Sequence, residues 1–90
     1  LELITTRQFE RDLKTLKKRG KKLDKLWLIV ELLLNEQPLS PRHKPHPLVG
    51  NWRPCWECHI EPDWLLIWLV EDNELTLTRS GTHPIYSDVC

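Results

Sequence analysis

Two stretches of the chain carry apolar residues at helical spacing, and a third region carries them in alternation. Phe9, Leu13 and Leu16 follow Thr5, which precedes Gln8 at capping-box spacing, so a helix is predicted to open there and to stop at Gly20. Leu23, Leu26, Trp27, Val30, Leu33 and Leu34 trace a broader stripe ended by Asn35 and Pro38, which predicts a second and more deeply buried helix. The short basic link between them implies an antiparallel hairpin.

A proline-rich segment, Leu39 to Pro47, should be a loop of restricted conformation that delivers His46. From Arg53 the period changes to two, Trp64 to Val70 is an almost unbroken apolar run, and Leu75, Leu77 and Arg79 alternate with Thr76, Thr78 and Ser80. Glu61-Pro62-Asp63-Trp64 and Asp72-Asn73 have turn chemistry between these strands. The pattern predicts an α+β fold, a helical hairpin packed on a small antiparallel sheet, with residues 1–90 as a single domain.

Composition changes this picture little. Charged residues are 29% and apolar residues 40% of the 90, a packed-domain balance. No apolar run reaches the roughly 20 residues of a membrane span, and the N-terminus has no secretory pattern, so no membrane partner and a cytoplasmic location are expected. Three cysteines cannot all pair within the chain, and reduced thiols are the simpler expectation.

Charge changes it more. The net charge of zero hides a basic first half, with eleven Lys/Arg against six Asp/Glu in residues 1–50, and an acidic second half with two against seven. Lys14, Lys17, Lys18, Lys21 and Lys22 concentrate the excess, either as a footprint for phosphate or an acidic partner or as a solvated helix face.

The candidate chemistry sits between positions 46 and 83. Cys55-Trp56-Glu57-Cys58 with His43, His46, His59 and His83 invites a zinc reading, but strand alternation turns Cys55 and Cys58 to opposite faces, so no metal or other cofactor is expected. The same alternation puts Arg53, Cys55, Glu57 and His59 on one face and Trp52, Trp56, Cys58 and Ile60 on the other. The tryptophan face should be core, leaving Glu57 and His59 open to solvent beside Asp63. Most of the tryptophans must fill the core; Trp64, at the turn beside Asp63, is the candidate for base stacking.

His46-Pro47-Leu48-x-Gly50-x-Trp52, His59-Ile60-Glu61-Pro62-Asp63-Trp64-Leu65-Leu66-Ile67 and Arg79-x-Gly81-Thr82-His83 occur in the order and spacing of one known family. In these motifs the chain resembles the YafQ-type toxins of the RelE/ParE superfamily, and the likeness runs from the first helix to His83. The resemblance implies a RelE-like microbial ribonuclease fold and the toxin of a type II toxin–antitoxin system. It also implies an endoribonuclease that cuts mRNA in the ribosomal A site without a metal. It places catalytic or RNA-contacting roles on His46, His59, Asp63 and His83, with Trp64 and Arg79 also implicated. Where family members end in an aromatic residue, Ser87 stands here, so Tyr86, one position earlier, is the stacking candidate.

RNA supplies its own nucleophile, the 2′-hydroxyl, so cleavage needs a base, an acid for the departing 5′-oxygen, and cations around the phosphorane. Histidines suit both proton transfers, with His59 and Asp63 expected to manage one and His83 or His46 the other, while Arg79 neutralises developing charge. The expected partners are a cognate antitoxin, mRNA and the 16S rRNA surface of the ribosome, with promoter DNA reached only through the antitoxin. Two other readings compete: a non-enzymatic binding protein of the same fold, gyrase-directed or an antitoxin-binding relic, and a small zinc-binding domain.

Overall fold

The computed structural model describes residues 1–82. The chain opens with β1 (Glu2–Thr5), continues through α1 (Arg7–Lys18) and α2 (Leu23–Leu34), and then forms β2 (His46–Pro47), β3 (Trp56–Glu61), β4 (Trp64–Glu71) and β5 (Glu74–Thr82). The strands make one sheet in the order β1-β5-β4-β3-β2. Two helices on a small sheet meet the α+β expectation. The sheet is mixed rather than wholly antiparallel, because β1 pairs parallel with β5, Glu2 opposite Glu74 through Thr5 opposite Leu77. A four-residue strand at an edge, with Glu2, Leu3 and Ile4 all exposed, leaves no alternation to read in the sequence.

Local chemistry accounts for the helix ends. Thr6, not Thr5, caps α1, its hydroxyl accepting from the Phe9 amide at 3.0 Å. At the other end the Gly20 amide reaches the Lys17 carbonyl and the Lys21 amide the Leu16 carbonyl, a Schellman closure for which Gly20 supplies φ +77°. The β4–β5 hairpin turns on Asp72 and Asn73, both at positive φ, as a two-residue turn that follows the strand twist requires.

The main core joins Phe9 and Leu16 of α1 and Leu26, Ile29 and Val30 of α2 to Cys58, Ile60, Trp64, Leu66, Trp68, Leu75 and Leu77. Burying each large side chain contributes about 1.5–3 kcal/mol. α2 buries Leu26, Ile29 and Val30, against Phe9, Asp12 and Leu16 on α1, but leaves Trp27, Leu28 and Leu32 exposed. Its stripe is too broad for the one sheet face it covers.

On the opposite face Cys55, Leu65 and Ile67 form a second small cluster, against which Leu48, Trp52 and Leu69 pack. Trp52 therefore belongs to this cluster and not to the main core. Cys58 is a free buried thiol, whereas Cys55 is disulfide-bonded, against the expectation of reduced thiols. Burial pushes the Cys58 thiol up to about 12. None of the described helices is long and apolar enough to cross a membrane.

Candidate active site

Strand register assembles the polar side of the sheet. His46 of β2 lies opposite Glu57 of β3, Glu57 opposite Ile67 of β4, and Ile67 opposite Arg79 of β5. Directly opposed residues share a face, so His46, Glu57 and Arg79 stand in one row on the side away from the helices. His59, Leu65 and Gly81 make the next row on that face. Strands about 4.8 Å apart and a rise of about 3.3 Å per residue put the His46, Glu57 and His59 backbones within a few ångströms to ~10 Å of one another.

The two histidines are held differently. The His46 Nδ1 is 2.7 Å from the Lys44 carbonyl and its Nε2 is 3.2 Å from the Glu57 carboxylate. Both partners accept, so only a ring protonated on both nitrogens donates to both. The His59 Nδ1 is 3.3 Å from the Pro62 carbonyl, which can only accept, so the bond requires a proton on Nδ1.

Glu57 departs from the sequence reading. It is 4% exposed, because the 46–55 segment folds over that face, and its Oε2 has no partner among the described residues. A buried carboxylate on the row of His46 was absent from the site residues picked by sequence. The available signal was the strand alternation that places it with His59.

Arg79 sits at the β5 edge. Its Nε donates to Asp12 Oδ2 at 2.9 Å, and the same oxygen accepts the Ser80 amide at 3.0 Å. β1 ends opposite Leu77, so beyond it Asp12 of α1 takes over as edge partner. Asp12 is buried and is a second residue that periodicity did not reveal.

Asp63 lies in the β3–β4 turn and is exposed, with Lys21 Nζ at 3.6 Å from its carboxylate. Its charged partner is thus Lys21, while a backbone carbonyl holds the His59 Nδ1. Lys21 also meets Glu61 at 3.1 Å, and Lys25 meets the other Glu61 oxygen at 2.7 Å. The hydrogen bond from Lys25, and next that from Lys21, hold the Glu61 carboxyl below its ordinary 4.5. The Glu61 hydrogen bond in turn raises Lys21 above 10.5, with Asp63 adding to the effect. Lys21 is therefore a strut between the helical hairpin and the turn, and not a cation free for phosphate. Lys14, Lys17, Lys18 and Lys22 are exposed.

Trp64 is likewise corrected. It is fully buried in the main core, with its indole N–H donating to Ser80 Oγ at 3.0 Å and Lys21 Nζ 5.9 Å from the ring centre. Strand parity turns it toward the helices, where no base can stack on it. His83 and Tyr86 lie outside the described residues.

A groove of about 1050 Å³ opens beside this turn, between α2 and the 40–44 segment, with His43 and His59 in its wall. Among the described residues no group of three or more His, Cys, Asp or Glu side chains could hold a metal ion.

A family model described as "Bacterial toxin of type II toxin-antitoxin system, YafQ" matches residues 1–86. The chain is 42% identical over 77 residues to the mRNA interferase toxin YafQ of Escherichia coli strain K12, covering 84% of each protein. A metal-bound toxin from Helicobacter pylori superposes with a TM-score of 0.87 at 42% identity, over 92% of this chain and 94% of that one. The E. coli DinJ–YafQ complex gives 0.87 at 36% identity, over 97% and 98%. With the family model matching residues 1–86 and 42% identity to a YafQ toxin over 84% of each protein, the chain belongs to the YafQ family of bacterial toxins of type II toxin–antitoxin systems.

Proposed function

We propose that this chain is an endoribonuclease that cuts mRNA in the ribosomal A site. The 2′-oxygen attacks the adjacent phosphorus and forms the new P–O bond as the bond to the 5′-oxygen breaks, leaving a 2′,3′-cyclic phosphate and a 5′-hydroxyl. The His59 Nε2 takes the 2′-hydroxyl proton. His46, held between the Lys44 carbonyl and Glu57, gives a proton to the leaving oxygen. His83 is the alternative donor for that second proton. Arg79, whose Nε is tied to Asp12, offers its guanidinium to the crowded phosphate, and Asp63 sets the field at the turn beneath His59.

The observation that carries the reading is the placement of His46, Glu57 and His59 in two adjacent rows on one sheet face, with Arg79 two strands beyond Glu57 along the first row. The E. coli relative named an mRNA interferase supports it. The exposed Lys14, Lys17, Lys18 and Lys22 supply attraction to the 16S rRNA surface, so binding to ribosomes weakens steeply with salt. A cognate antitoxin neutralises the toxin, as the DinJ–YafQ complexes suggest, and promoter DNA is contacted through that antitoxin.

Induced expression followed by mapping of mRNA 5′ ends, with and without translation, tests the reading. Cuts at fixed codon positions carrying 5′-hydroxyl ends, on translated messages only, are expected. Uncut messages in arrested cells would refute it and favour a toxin that acts by binding alone.

A further inference from the structure

Among the described residues, the outer edge of β3 is paired over only part of its length. β2 covers it at Trp56 and Glu57, and beyond that point the neighbouring edge position is filled by a side chain. His43, in the 3-10 turn Pro41–His43, places its Nδ1 2.7 Å from the His59 carbonyl. A carbonyl only accepts, so Nδ1–H donates and the imidazole stands in for the missing strand.

That bond falls where the backbone needs it. The β3–β4 register shifts between His59 and Glu61, so the ladder on the other side of His59 is also irregular. Bulges bend and twist a strand and redirect the side chains beside them. The groove separates the 40–44 segment from α2 here, so attachment to β3 holds the segment in place.

The same segment carries His46. Pro41, Pro45 and Pro47 restrict it, Lys44 takes a left-handed φ of 47°, and the Lys44 carbonyl holds the His46 Nδ1. One short arm is therefore fastened to β3 at the His59 backbone and carries, three residues on, the ring that faces Glu57. We propose that His43 is a positioning residue for the nuclease: its bond to the His59 carbonyl sets the spacing between the His59 and His46 imidazoles. This rests on the endonuclease reading above. His43 lies outside the recurring motifs and transfers no proton itself.

The test is cleavage of a defined mRNA on programmed ribosomes by the full chain, with kcat and KM separated. In H43L, which cannot donate, kcat falls about tenfold while KM changes little, because misplacing reacting groups by a fraction of an ångström affects the chemical step. In H43N, whose amide donates from nearly the same position, kcat returns to within about threefold of the unaltered protein. Should H43L fail to fold, H43D, isosteric with asparagine but without the donor, takes its place. Unchanged kcat in the donorless variant, or equal loss in H43N and H43L at equal melting temperature, overturns the proposal. H59Q in the same assay separates the two claims. Cleavage abolished in H59Q but intact in H43L defeats the positioning role alone, full cleavage by H59Q defeats the His59 proton-transfer role on which it rests, and no cleavage by the unaltered protein defeats the nuclease reading itself.

Discussion

The two faces of the central strands differ by one residue of register and divide the work of the molecule. Toward the helices, Trp64, Leu66, Trp68, Leu75 and Leu77 are buried with Phe9, Leu16 and Leu26. Toward the other side, the same strands present Glu57, His59, Ile67 and Arg79. The first face is apolar and closed. The second has a small apolar patch ringed by titratable groups, which tolerates polar chemistry because stability is secured across the sheet. Stability and activity should therefore respond separately to substitutions one position apart.

The largest expected breach of this division on the stability side is Trp64→Ala. It removes a fully buried indole and leaves the Ser80 hydroxyl without its donor, so unfolding free energy should fall by about 3–5 kcal/mol in urea titration. A mild effect there, with selective loss of RNA binding, would return Trp64 to the surface role that its burial contradicts.

Asp12 is where the two sides meet, since one carboxylate oxygen takes both Arg79 and the Ser80 amide. Asp12→Ala should cost about 1.5–3 kcal/mol and lower cleavage as well, because Arg79 loses its tether. Loss of stability with full activity would show that Arg79 does not act from this position.

Glu57→Leu should separate the two properties in the opposite sense. Replacing a buried carboxylate with an apolar side chain should leave stability unchanged or slightly raised, while cleavage falls about tenfold as His46 loses its acceptor. The paired readouts are urea midpoint and single-turnover rate.

Two smaller effects probe the closed face and the strut. Cys58, pushed up to about 12 by burial, should resist alkylation at pH 8 until the protein unfolds. Because the Glu61 carboxyl is lowered in the folded state, the stabilisation it brings is present above its ordinary 4.5 and is lost as pH falls through the lowered value. Glu61→Gln should therefore flatten the acid side of a melting-temperature profile and leave the neutral side almost unchanged.

Much of this division is legible in the sequence because it follows from period two. Alternation separates Trp56, Cys58 and Ile60 from Glu57 and His59, and the structure buries Cys58 and Ile60 in the main core, while Trp56, expected there too, stacks on Trp68 at the rim and stays exposed. What alternation cannot reveal is how deeply each face is covered. Glu57 was expected in solvent, but the 46–55 segment, whose path depends on distant packing against Leu65 and Ile67, closes over it. Trp64 was assigned to the surface from its place beside a turn, although the parity of β4 turns it inward. Lys21 illustrates the same limit for charge: composition placed it in a basic cluster, and the fold brings Glu61 and Asp63 to it from some forty residues away. β1 was missed because four residues at an edge carry too little pattern.

The most direct test of the central claim is the single-turnover cleavage rate of His59→Gln on ribosomes programmed with a defined message, measured beside its urea midpoint. The account predicts a rate about 10²- to 10⁴-fold lower at an unchanged midpoint, since the ring is half-exposed on the polar face and contributes chemistry rather than core packing. Cleavage at the rate of the unaltered protein by the folded variant would contradict it.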